Sequence, residues 1–293
     1  IQKLLPAVSQ LKSEDPRQVD YKIISIDYSN WQQRRALAEE LLKAHKHGRF
    51  HKENTIISEY LWCVHEILKQ ADARERIQGL EQAIALVSSE YPNQFSPTIA
   101  ARIWLAQAYD ESGQADIAQA QLHDMELRTK GNGAVTVARA QVWFYLSKYK
   151  SKEAVAFLEQ SQFAEEVKRG EGRLALEYAW ALLGDNRIAE GVNKMLQATK
   201  PFGRKNAVGN AFPLEPIDMA YAYLRAGKSD EIRLMLQNTR MQAYCEGKPE
   251  YRYHWYKNQP WQEEHTKTLE ETRDTVCSMR PKNNTKPTGA NQQ

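Results

Sequence analysis

The chain has 293 residues, of which 42% are hydrophobic and 26% are charged, and its formal net charge at pH 7 is +3. A chain of this length can bury a large apolar core, so three cysteines exclude a small disulfide-built scaffold. No apolar run approaches the ~20 residues of a membrane span, and Gly and Pro are too scarce for a collagen-like or disordered chain. The balanced charge does not by itself indicate a nucleic-acid partner.

Helical periodicity runs along most of the chain from about Asn30. Residues 31–46, 56–70 and 76–88 place aliphatic side chains three to five positions apart, which predicts amphipathic helices. Upstream, the β-branched stretch from Val19 to Tyr28 is either a short edge strand or an irregular lead-in. Near the other end, residues 262–277 predict a polar helix.

Four segments in the middle of the chain share one spacing of side chains around a turn. The predicted turn positions are Gly113, Tyr149, Gly184 and Gly227. An aromatic residue stands four positions earlier: Tyr109, Tyr145, Trp180 and Tyr223. A small or aliphatic residue stands five positions later: Ala118, Ala154, Ala189 and Ile232. Gly suits the corner between two helices, and a small side chain opposite a ring allows close approach, so the pattern predicts helical hairpins.

At these positions the sequence resembles the tetratricopeptide (TPR) family over residues 98–237. Small residues at Ala106 and Ala220 add to the resemblance, whereas Val142, Glu177 and Tyr149 depart from the family pattern. The resemblance implies an all-α, TPR-like α-solenoid of antiparallel helical hairpins, with a divergent N-terminal segment and an aromatic C-terminal cap. The alternative is an irregular all-α domain in which Ala and Gly recur by chance.

The expected organisation has four parts. Residues 1–54 form the N-terminal segment with one amphipathic helix, 55–240 the repeats, 241–279 the cap and 280–293 a disordered tail. A solenoid presents a concave groove lined by the first helix of each hairpin. We expect a non-catalytic interaction module, a scaffold, adaptor or regulator, that binds a peptide or partner helix there. The candidate groove residues are Arg102, Gln107, Arg139, Gln141, Glu177 and Tyr221.

Catalytic chemistry is not predicted. The sequence has no nucleophile-elbow, metalloprotease, paired-cysteine redox or phosphate-loop motif, so we expect no enzyme, catalytic residue or cofactor. His45, His47 and His51 have a spacing that can serve zinc, but their basic neighbours oppose a cation. We therefore predict a solvated basic loop rather than a metal site.

Two cysteines bear on the compartment. Cys245 and Cys277 bracket the aromatic segment, and a possible disulfide between them would stabilise the fold by ~3 kcal/mol. Such a bond needs an oxidising compartment, so the chain is expected to be periplasmic or secreted if they are bridged and cytoplasmic otherwise. Cys63 lies in an apolar helix and is expected to be a buried thiol.

Other functions stay open. Between Tyr244 and Trp261, rings interleaved with Arg252, His254 and Lys257 could hold a ligand rather than cap the last repeat. The chain could then be an extracytoplasmic sensory or regulatory domain of a larger bacterial protein that continues before Ile1. Weaker still, the basic stretch from Lys43 to Lys52 could contact nucleic-acid phosphates.

Overall fold

The computed structural model describes residues 30–44, 53–170, 174–198, 216–237, 239–246 and 260–280. This part of the chain is helical and contains no strand, so the predicted all-α class is confirmed. Two compact units divide it between Ala140 and Gln141, inside one long helix of the predicted repeat region. Val19 to Tyr28 and residues 281–293 of the predicted tail lie outside the described residues. None of the described helices is long and apolar enough to cross a membrane.

The helices of the two units are numbered here in chain order. The first unit contains α1 (Trp31–Ala44), α2 (Glu53–Leu68), α3 (Ala73–Glu90), a 3-10 turn (Ser96–Thr98), α4 (Ile99–Glu111) and α5 (Ala115–Arg128). Helix α6 (Gly131–Ser147) crosses the division. The second unit continues with α7 (Ser151–Gln160), α8 (Ala164–Arg169), α9 (Ala175–Gly184), α10 (Ile188–Ala198), α11 (Pro216–Arg225), α12 (Ser229–Met235), α13 (Thr239–Cys245) and α14 (Glu263–Ser278).

The core of the first unit is built from the apolar stripes that the periodicity predicts. Leu42 of α1, Ile57 and Leu61 of α2, and Leu80 and Val87 of α3 are buried in one cluster. Burial of such aliphatic side chains contributes about 1.5–3 kcal/mol each. A side chain that accepts a hydrogen bond from a free backbone N–H at the start of a helix stabilises that helix further.

A partly buried ion pair joins α1 to α2. Arg34 is 2% exposed and donates to the Glu59 carboxylate, and the Cys63 sulfur lies 3.6 Å from the same carboxylate. Burial, with the negative charge of Glu59, raises the pKa of Cys63 to about 11. The thiol therefore stays protonated at neutral pH, and the prediction that Cys63 is buried is confirmed.

Four helix ends share one corner geometry. The corner residues are Gly113, Tyr149, Asn186 and Gly227, with φ of 84°, 56°, 61° and 66°. Each corner N–H donates to the carbonyl three residues earlier, and the next N–H donates to the carbonyl five residues before it, at 2.9 Å in all four turns. This pair of bonds is the Schellman motif, which ends a helix and redirects the chain. Beyond these corners α4 packs on α5, α9 on α10, and α11 on α12.

The third corner corrects the predicted register by two residues. The left-handed residue is Asn186 rather than Gly184, so the first-helix residue four positions earlier is Leu182, not Trp180. Asn tolerates this conformation because its short polar side chain can form local hydrogen bonds. Gly184, two positions earlier, favoured the wrong register because glycine is the usual residue at such a corner.

The same shift changes which small residue packs between the helices. Gly191 is buried five positions after its corner, as Ala118 and Ala154 are after theirs, whereas the predicted Ala189 is exposed. A Cβ at Gly191 would lie 2.8 Å from the Leu183 side chain and 3.1 Å from its backbone N. The close approach of α9 and α10 therefore requires a glycine here.

Replacing Gly113 by Ala tests the corner geometry. No atom lies within 4 Å of the added Cβ, so the substitution changes backbone conformation alone. We expect a loss of about 1 kcal/mol in the free energy of unfolding, measured by urea denaturation, because an L-residue is strained at positive φ. Tyr149→Ala is the control: the exposed side chain leaves a corner that already holds an L-residue, so the stability should change by less than about 0.5 kcal/mol. Equal effects of both substitutions would contradict this account.

Candidate functional site

The corner register places a set of side chains on one face of the first helices. Six residues before each corner stand Gln107, Trp143, Trp180 and Tyr221. Residues at one offset from a shared helix end point to the same side of their helices, because the helical period is fixed. In the second unit, α6, α9 and α11 therefore each direct a ring to this side. We call Trp143, Trp180 and Tyr221 the ring ladder.

His265 of α14 contacts two rings of the ladder. Its imidazole centroid lies 4.5 Å from the ring of Trp143 and 4.2 Å from the ring of Trp180, edge-to-face at 89°. Trp180 in turn stacks on Tyr221 at 4.4 Å with planes 23° apart. Such pairs attract each other beyond their burial, by about 0.5–1.5 kcal/mol. The C-terminal helix thus docks on rings supplied by separate hairpins.

A buried carboxylate completes this cluster. Asp218 of α11 is fully buried, and the indole Nε1 of Trp180 donates to its Oδ1 at 3.2 Å. The Nε2 atom of His265 lies 4.0 Å from the same oxygen. Burial lowers the pKa of His265 to about 3, so the imidazole is neutral at pH 7. The cluster is a packing site for a helix, with its polar groups held in fixed positions.

Helix α14 lies across the first helices as an amphipathic rod. One side buries His265, Leu269, Thr272 and Val276, which are spaced by four, three and four residues. The other side exposes charged residues: Glu263, Glu264, Lys267, Glu271 and Asp274. This division allows α14 to pack on the protein with one side while the other stays in water.

Both ends of α14 are fastened to other helices. Just before the helix, Trp261 packs edge-on against Phe144 of α6, with centroids 5.5 Å apart. At the far end Cys277 is bonded to Cys245 of α13, with their Cα atoms 5.5 Å apart. The helix therefore runs from α6 to α13 and packs along α11 on the way. The part of the predicted cap that the structure describes thus contacts more than the last hairpin.

The first unit has an aromatic cluster that remains partly open to solvent. Trp62 and His65 of α2 and Trp104 of α4 pack together, with His65 stacked on Trp104 at 4.0 Å and 15°. Trp62 is 44% exposed. Trp104 stands nine residues before its corner, the same offset as Asp218, which contacts the ladder in the other unit. We call these three residues the open aromatic face.

The predicted groove residues are divided between the two units, three in each. In the first unit Arg102, Gln107 and Arg139 are half-buried. The guanidinium of Arg102 lies over the ring of Phe95 at 4.9 Å, and its Nε donates to the Thr98 hydroxyl at 3.0 Å. Arg102 also lines a cavity of about 480 Å³ between α4 and α5. The guanidinium of Arg102 therefore interacts with Phe95 and Thr98 of its own unit.

In the second unit two of the predicted groove residues are buried and one joins the ladder. Gln141 and Glu177 are 4% and 6% exposed, so they do not face a solvent-filled groove as expected. Tyr221 stacks on Trp180, and Arg225 donates to its hydroxyl at 3.0 Å. Trp180 was not among the predicted site residues because it was assigned to the corner contact, and without it Trp143 stood alone. Counting back from Asn186 would have revealed the ladder.

Metal and nucleic-acid sites find no support in the described residues. No group of three metal-binding side chains occurs in this part of the structure. His45, His47 and His51 lie outside it, as do most of the basic stretch that ends at Lys52 and residues 247–259 of the aromatic segment.

Comparisons with known proteins give no relative from which a function could be transferred. No protein-family model matches the chain, and neither a curated protein nor a solved structure gives a match. Function must therefore be inferred from the two aromatic surfaces and from α14.

The burial of His265 predicts a loss of stability in acid. An unfolded His titrates near pH 6.5, whereas the folded imidazole has a lowered pKa because it is buried. The resulting stability is fully present above pH 6.5 and is lost as the pH falls toward 3. Between pH 7 and pH 5 we expect a loss on the order of 1–2 kcal/mol, measured by urea denaturation followed by Trp fluorescence.

His265→Asn should remove most of this slope, because the variant has no imidazole to protonate. Asp218, whose Oδ1 lies 4.0 Å from the imidazole Nε2, is retained in the variant. The control is His123→Asn, on the exposed side of α5, which should keep the wild-type slope. A wild-type slope in His265→Asn would contradict the assignment.

Proposed function

We propose that this chain is a non-catalytic, TPR-like binding module that holds a partner helix or peptide on the face formed by the first helices of its hairpins. The observation that supports this most strongly is α14, an amphipathic helix that docks on α6, α9 and α11 through His265 and the ring ladder. The four Schellman corners support the repeat, because one geometry produces hairpins with a common face.

The open aromatic face is the proposed place for the partner. Its rings lie on α2 and α4, and Trp62 remains 44% exposed. Trp is enriched at binding hot spots, since it buries a large apolar area and keeps a hydrogen-bond donor. A helix or peptide that covers Trp62 would bury aromatic surface on contact, as α14 does on the ring ladder of the other unit.

Affinity capture with the intact chain tests this function. The chain should retain a protein partner that mass spectrometry identifies, and Trp62→Ala should weaken its binding at least 10-fold, because hot-spot truncations typically cost 2 kcal/mol or more. The matched control is Leu127→Ala, since Leu127 is 73% exposed on the second helix α5 and should leave binding unchanged. Retention of no protein, or equal binding by both variants, would remove the proposal.

A second candidate function is favoured by the bond between Cys245 and Cys277. Disulfides persist in oxidising compartments, and an extracytoplasmic sensory or regulatory domain would occupy one. The bond joins α13 to α14, beside the helix that covers the ladder. Under this alternative the same binding face operates outside the cytoplasm.

Thiol counting on protein taken from its native cell tests the compartment. Denatured, unreduced protein should take up one alkyl group, on Cys63, and reduced protein should take up three. Protein quenched with acid at lysis serves as the control against oxidation during handling. Uptake of three groups without reduction would place the chain in a reducing compartment.

A further inference from the structure

We infer that the ring ladder is a second helix-binding site, occupied in this chain by its own helix α14, and that the Cys245–Cys277 bond holds the occupant in place. The inference rests on the proposed function, because it concerns how one binding face is covered. It names the partner class for that face: an amphipathic helix with an imidazole or similar flat ring, then aliphatic and Thr side chains along one side.

Helix α14 satisfies its own buried hydroxyls. The Thr266 hydroxyl donates to the Gln262 carbonyl at 2.9 Å, and the Thr272 hydroxyl donates to the Thr268 carbonyl at 2.7 Å. Both are bonds within the helix, so they persist when the helix leaves as a unit. Departure of the helix therefore leaves these two hydroxyls satisfied.

The apolar contribution of α14 is also small. Leu269 and Val276 are the aliphatic residues of its buried side, and the remainder of that side is His and Thr. Its opposite side is charged, with Lys267 donating to Glu264 at 2.6 Å. A helix of this composition is soluble when released, and another helix of the same pattern could make the same contacts with the ring ladder.

The C-terminal end of α14 carries both the disulfide and a hydrogen bond to α13. Arg280 donates to the Gln242 carbonyl at 3.0 Å, and the fully buried side chain of Val276 lies next to Cys277 in the sequence. A cavity of about 790 Å³ adjoins this end, lined by Leu236, Gln242, Glu246, Met279 and Arg280 among others. The covalent bond therefore adds a link that persists when the non-covalent contacts are lost.

Two covalent links hold α14 near its site: the backbone that precedes it and the disulfide at its far end. A helix linked to its site has an effective concentration in the millimolar range, and the second link raises this value further, so a free competitor at micromolar concentration is excluded. The disulfide closes a loop with a sequence separation of 32 residues, which further limits the open state. Loss of the bond should raise the open population about 100-fold, from loop-closure entropy.

A labelled peptide tests the exchange on the full chain. The probe is residues 262–280 with Cys277→Ser and a fluorophore at its N-terminus, and binding is measured by fluorescence anisotropy. We expect no binding to the oxidised chain and saturable binding to the Cys245→Ser/Cys277→Ser chain, when each chain is titrated up to about the millimolar effective concentration of the helix that remains linked through the backbone. Leu269→Ala in the peptide should weaken binding at least 10-fold, and Glu271→Ala, on the exposed side, should leave it unchanged.

Hydrogen exchange keeps the inference falsifiable when the serine variant is perturbed. In that variant the α14 amides from Leu269 to Val276 should exchange about 100-fold faster, while those around Leu182 in α9 keep their protection. Acceleration of both sets together, loss of the helical circular dichroism, or an unchanged rate in α14 would show that α14 belongs to the cooperative core and would overturn the inference. A folded variant that does not bind the peptide would overturn it as well.

The two proposals fail separately. If a partner is captured through Trp62 but the peptide does not bind, the proposed function stands and the inference about α14 fails. Peptide binding to the serine variant, with no captured partner, would leave the exchange as a property of the fold and remove the proposed function.

Discussion

Each hairpin turns on one residue of positive φ, and the two hydrogen bonds formed there fix the phase of the preceding helix. Because the corner sets the phase, a residue six positions before it points the same way in every hairpin, whatever its identity. In the second unit that position holds Trp143, Trp180 and Tyr221, and their rings receive His265. The corner at the end of each first helix therefore determines which of its side chains share the side that α14 contacts.

Local features of the chain were predictable, because local interactions determine them. The stripes of α1 to α3, the buried Cys63 and the corners at Gly113, Tyr149 and Gly227 all follow from spacing and conformational preference. Asn186 was missed because Gly184 offers the more familiar corner two residues away. That small error moved Trp180 from the docking face to the hairpin interior. Gln141 and Glu177 were assigned to a groove although they are buried, because the sequence does not show which helices cover them.

The position of α14 was beyond the reach of periodicity. A pattern of apolar residues predicts that a helix has a buried side, but it does not name the helix against which that side packs. The contact between His265 and the rings of Trp143 and Trp180 joins residues more than 80 positions apart in the sequence. Only the relative placement of three hairpins decides it, and that placement depends on many weak contacts at once.

The bond between Cys245 and Cys277 closes a covalent ring that contains α14 from its first residue, Glu263, to Cys277. A single cut of the backbone at any point between the two cysteines would therefore leave the molecule in one piece. A protease that cuts between Cys245 and the start of α14 creates a new chain end but releases no fragment. Helix α14 would then stay attached at its C-terminal end, while its N-terminal end, with His265, would no longer be linked to α13 by the backbone. Because of the disulfide, one such cut changes how α14 is connected to the protein but does not release it.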